Sequence, residues 1–104
     1  MVRFGQRARL KPEKVEEYKS LHARVWPEVL KTITECNLQN YSIFILGSEL
    51  FAYFEYTGGD YEADMRKMAD DPVTREWWRH TKPCFEGHET QTYYTDMESI
   101  FYYK

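Results

Sequence analysis

This chain has no long apolar run. No segment approaches the ~20 consecutive apolar residues of a membrane-spanning helix, so a membrane partner is not expected. The first ten residues, MVRFGQRARL, hold neither an apolar segment nor a cleavage pattern, so no secretory signal is expected there. Cysteine is scarce: Cys36 and Cys84 are the two in the chain, far apart in sequence. That usage fits a reduced cytoplasmic protein, with a single disulfide as the alternative. The three histidines, His22, His80 and His88, do not fall at i, i+4 spacing, and no cysteine pair has finger spacing. No metal site is expected. A basic surplus is also missing. Fourteen Lys and Arg face seventeen Asp and Glu, for a net charge of -3. Nucleic acid is therefore excluded as the main partner, because no surplus is available to neutralise phosphates. The phosphate-loop pattern G-x-G-x-x-G and the nucleophile pattern G-x-S-x-G are both absent. Gly58-Gly59 does precede a helix, but Asp60 would repel a phosphate. There are no internal repeats and no low-complexity segments.

Aromatic residues are what the chain has in plenty. They make up 17% of it, with nine Tyr and three Trp. That exceeds the need of one core, so some are expected to line a pocket or a subunit interface. The 104 residues suffice for a single domain, 1–104, able to bury a modest core.

Residues 2–10 alternate weakly, with Phe4, Ala8 and Leu10 on one face, and predict a strand. Pro12 suits the first position of a helix, which is predicted to run to about Cys36 with a kink at Pro27. Asn37 tolerates the left-handed conformation that ends a helix. Residues 40–46 and 49–56 are rich in β-branched and aromatic types and predict two strands. Gly47-Ser48 between them fits a two-residue hairpin turn. Asp60 is the expected N-cap of a helix over 60–70. Asp71-Pro72 supplies a second cap and first-turn proline, opening a helical piece through about Thr81. Residues 84–96 show no clean period and read as a long loop, with a closing strand over 97–103. The order is β-α-β-β-α-β with a divided second helix. That is an α+β, ferredoxin-like arrangement: an antiparallel sheet with helices on one face. The other face carries aromatics as well, and a second copy of the chain is its expected cover.

The oddest feature lies on the first helix. At 100° per residue, Val15, Tyr18, His22, Val25, Trp26, Val29 and Ile33 share one face. His22 is a titratable ring inside an otherwise apolar stripe. A core histidine hydrogen-bonded to a neighbour is the plain explanation. Its company argues for more: Tyr18 is one turn earlier, and Tyr41 opens a strand that this helix should cover. An imidazole beside phenols can exchange a proton near neutral pH. Trp77-Trp78 point about 100° apart on their helix, so one indole can join the core while the other lines a pocket or interface.

The residues K-P-x-x-x-x-E-Y-x-x-x-H-x-x-x-W-P-E (Lys11 to Glu28), N-Y-S-I (Asn40 to Ile43), W-W (Trp77-Trp78) and I-F-Y (Ile100 to Tyr102) together resemble the L-rhamnose mutarotase family along nearly the whole chain. The resemblance implies an isomerase that interconverts the α and β anomers of L-rhamnose or a related deoxy sugar. It implies a dimeric α/β barrel of ferredoxin-like subunits, without metal or cofactor. It implies that His22 is the proton donor and that Tyr18, Tyr41, Trp77 and Trp78 bind the sugar. The alternative on such a scaffold is a small-molecule-binding, haem-degrading or monooxygenase protein, because fold alone does not fix chemistry.

Overall fold

The computed structural model describes residues 1–104. Strand β1 spans Val2–Arg9, and a short 3-10 turn, Pro12–Lys14, leads into α1, Val15–His22. Helix α2 spans Pro27–Glu35, followed by β2, Leu38–Leu46, and β3, Glu49–Tyr56. Helices α3, Tyr61–Asp70, and α4, Pro72–Thr81, come next, and β4 is Thr95–Met97. The sheet order is β2-β3-β1-β4, and every neighbouring pair is antiparallel. This is the ferredoxin-like order expected from the sequence.

Along β3, Leu50, Ala52, Phe54 and Tyr56 are buried while Phe51, Tyr53 and Glu55 between them are half-buried. The pleat thus presents one face to the helices and leaves the other open. Two apolar clusters fill the helix side. Ala8, Leu10, Tyr18, Leu50, Cys84 and Phe85 form one; Leu38, Phe54 and Tyr56 form the other, under Ile33, Tyr61, Met65 and Met68. Cys36 and Cys84 are both free and buried. No helix is long and apolar enough to cross a membrane.

Several local signals act as their chemistry demands. Gly47 takes φ +65° in the turn where Leu46 faces Glu49. Asn37 ends α2 at φ +66°. The carboxylates of Asp60 and Asp71 accept the backbone N–H groups of Ala63 and Thr74, capping α3 and α4.

Two expectations fail. The first helix is not one kinked rod. It stops at His22, and Ala23–Trp26 form a break before a separate α2. The residue before a proline is driven out of the helical region, and Trp26 accordingly sits at φ -63°, ψ 134°. Pro27 then opens α2 at its first position, where a missing N–H costs nothing. The second failure is the closing strand. Pairing with β1 covers only Thr95–Met97, and residues 98–104 have no regular structure. Arg3 reaches Ser99 and lies 3.9 Å from the Tyr102 ring centroid, but only through its side chain. Within one chain nothing covers Ile100 or Phe101, which are 89% and 78% exposed. Strand-forming residues need a surface to pack on, and here they find none.

Candidate active site

Helix α1 places Tyr18 and His22 one turn apart, and their rings stack with centroids 4.2 Å apart. The Nδ1 of His22 lies 3.0 Å from the Tyr18 carbonyl oxygen. A carbonyl can only accept, so Nδ1 carries the hydrogen and the lone pair of neutral His22 sits on Nε2. Trp77, buried on α4, meets the His22 ring edge-on at 5.4 Å. Trp26 braces Trp77 from behind at 5.2 Å. The break before Pro27 is what brings Trp26 there.

Tyr41 reaches the same region through an irregularity in β2. The Leu38–Tyr56 register, continued, would set Tyr41 opposite Tyr53 on the open face. The register instead slips by one residue between Gln39 and Ser42, with Asn40 at φ +50°. This bulge turns Tyr41 inward, where its ring stacks on Phe54 at 5.1 Å. About 39% of Tyr41 stays accessible, so it lies at the rim, while its hydroxyl is the desolvated end.

A third phenol joins them. The Tyr94 hydroxyl lies 3.3 Å from that of Tyr18. Sequence reading missed it because 84–96 has no periodicity, though the paired Tyr93-Tyr94 in a chain rich in tyrosine was a usable signal. Burial raises all three phenols. Tyr18 is pushed up to about 12, against a smaller lowering by the Tyr94 hydrogen bond. Tyr41 and Tyr94 are raised further still, by burial first and then by neighbouring phenols. All three are neutral hydrogen-bond donors near pH 7. Burial lowers His22 from 6.5, and its bond to the Tyr18 carbonyl opposes this only in part. The resting imidazole is neutral.

Trp78 makes its contacts elsewhere. Lys82 Nζ sits 4.2 Å from its ring centroid. Together with Arg75, Lys82, His88 and Tyr93 it lines a surface cleft of about 390 Å³. The structure therefore gathers Tyr18, His22 and Trp77, with Tyr41 near enough for its phenol to act on that of Tyr18, and places Trp78 on a separate surface cleft. The other histidines are apart as well: His80 packs on Trp26, and His88 bonds to the Tyr93 hydroxyl.

Comparison with known proteins identifies the family of the chain. The family model for L-rhamnose mutarotase matches residues 3–103. This chain belongs to the L-rhamnose mutarotase family. It is 32% identical to the L-rhamnose mutarotase of Lactiplantibacillus plantarum over 105 aligned residues, covering 98% of each chain. It is 33% identical to that of Bacillus subtilis over 93 residues, covering 86% of each. The crystal structure of an L-rhamnose mutarotase from Formosa agariphila aligns over the whole of both chains with a TM-score of 0.81 at 21% identity, a likeness of fold.

Proposed function

We propose that this protein is a mutarotase that interconverts the α and β anomers of L-rhamnose or a related deoxy sugar, with His22 as the group that moves the proton. The observation that carries this reading is the neutral His22, whose Nδ1–H is spent on the Tyr18 carbonyl while Nε2 is left free beside neutral phenols. Nε2 takes the proton of the anomeric hydroxyl. The C1–O bond of that hydroxyl becomes a carbonyl as the bond from C1 to the ring oxygen breaks. The imidazolium so formed is the proton donor to the ring oxygen, and the open aldehyde results. Rotation about C1–C2 presents the other carbonyl face. Closure runs the same transfers backwards and returns His22 to its starting form. No proton is gained or lost overall. One histidine thus serves as base and acid in turn.

The phenols of Tyr18 and Tyr41 hold sugar oxygens by donating hydrogen bonds, and burial keeps them protonated for that task. Trp77 gives the apolar wall for the C–H face of the ring. Trp78 is assigned to the sugar from the family resemblance alone, since its indole lies on a separate cleft with Lys82.

A cytoplasmic setting and a homodimer belong to the same reading. The open sheet face supports the dimer, for Phe44 and Leu46 there are 68% and 76% exposed. Saturation-transfer NMR on L-rhamnose tests the activity. Magnetisation should pass between the two anomeric protons only when the protein is present. Absence of exchange with L-rhamnose and with a panel of deoxy sugars, L-fucose included, would leave a protein that binds without this chemistry.

A further inference from the structure

Tyr94 lies outside the segments on which the family resemblance was read, yet its hydroxyl is the one side-chain group bonded to the Tyr18 hydroxyl. We propose that Tyr94 is a positioning residue of this site, fixing the Tyr18 hydroxyl so that one phenolic hydrogen is aimed at the sugar. This rests on the mutarotase reading.

The geometry supports it from three sides. Phe85, 4% exposed, meets both phenol rings edge-on, Tyr18 at 5.5 Å and Tyr94 at 5.5 Å. One buried ring therefore sets the approach of the other two. Two hydroxyls 3.3 Å apart share a single hydrogen. The pair owns two, so one donor is satisfied internally and the other is left for a ligand oxygen. Finally, Tyr18 is tied to His22 by ring stacking and by its carbonyl. A displaced Tyr18 would carry the imidazole with it.

The segment that delivers Tyr94 is held at both ends. Lys11 N–H donates to the Cys84 carbonyl and Glu86 N–H to the Arg9 carbonyl, at 2.8 and 2.9 Å. Between them Leu10 and Phe85 form a bridge. The loop then closes on itself, with Thr92 N–H donating to the Gly87 carbonyl at 2.9 Å. Only glycine fits at 87, because a Cβ there would stand 1.8 Å from the Thr92 carbonyl oxygen. Immediately after Tyr94, Thr95 pairs with Arg7 in the sheet. Tyr94 thus sits between two anchors, as a fixed support should.

Tyr94→Phe keeps the ring on Phe85 and removes only the oxygen. Loss of one neutral hydrogen bond predicts roughly a 3- to 10-fold fall in kcat/KM for anomer exchange. The deciding measurement is a double-mutant cycle. In a Tyr18→Phe background, Tyr94→Phe should change the residual rate by less than about 2-fold, since there is no hydroxyl left to position. An unchanged rate in the single variant overturns the proposal, as does an equal loss in both backgrounds. Proteins labelled with ¹³Cζ-tyrosine give a readout with no reaction running: the Tyr18 signal should shift in Tyr94→Phe, and a fixed signal overturns the contact. That arm separates the two claims. If the wild-type protein exchanges no sugar anomers the mutarotase reading fails, while the Tyr18 signal still decides whether Tyr94 holds Tyr18.

Discussion

Replacing His22 with alanine separates chemistry from packing. The imidazole stacks on Tyr18, meets Trp77 edge-on and donates to a carbonyl. Loss of two aromatic contacts and of a neutral hydrogen bond costs about 0.5–1.5 kcal/mol each, together about 1.5–4.5 kcal/mol. A domain of this size has roughly 5–15 kcal/mol of stability, so the variant should stay folded with a lower Tm. Catalysis should suffer far more, because a positioned acid–base group is worth about 10²–10⁴ in rate. The wild-type pH profile gives a second check. His22 must be neutral to accept the anomeric proton, and burial holds its pKa below 6.5. The rate kcat/KM should therefore be flat around neutrality and fall on the acid side, with its midpoint below 6.5. Stability follows the same sign. The unfolded chain binds this proton more readily than the folded one, so the contribution is full above about 6.5 and is lost as pH falls through the lower folded value. Saturation-transfer NMR at several pH values, alongside melting curves, measures both. A folded His22→Ala protein within ten-fold of the wild-type rate would refute the reasoning. So would an acid limb centred at or above 6.5.

Three further outcomes are expected. Leu50→Ala, at a 1% exposed position in the larger apolar cluster, should cost about 2–5 kcal/mol in urea unfolding, with a smaller urea midpoint. The proposed dimer through the open sheet face predicts that the wild-type protein sediments as a dimer and Leu46→Asp as a monomer, because a carboxylate would be desolvated at such an interface. Asp64 and Asp71 are held below the ordinary carboxylate range by hydrogen bonds, first from Tyr56 and from the Thr74 backbone respectively. Their stabilisation is present above about pH 3.9 and lost as pH falls through the folded values, so Asp64→Asn and Asp71→Asn should flatten the steepest part of acid unfolding, followed by circular dichroism.

Local chemistry was legible wherever a signal acts over a few residues. Asp60, Asp71, Asn37 and Gly47-Ser48 each impose a cap or a turn through their own side chains or backbone freedom. Aromatic and apolar content over 49–56 marked β3, but the run of apolar residues from Leu50 to Phe54 left its buried face for the tertiary structure to choose. From these the order of elements follows, and with it the ferredoxin-like plan. The pairing of Tyr18 with His22 was also readable, because four residues make one helical turn. Tertiary structure decided the rest. The helix wheel carried Trp26 along an unbroken stripe, but steric pressure from Pro27 ended the helix and sent that indole against Trp77. Tyr41 faces the site only because β2 bulges, a register change fixed by the neighbouring strand. The long loop gave no period because its conformation is set by contacts with β1 and by its own closed turn, so Tyr94 came to Tyr18 across 76 residues of sequence. Residues 98–104 have the composition of a strand, yet composition cannot supply the surface that a strand must pack against.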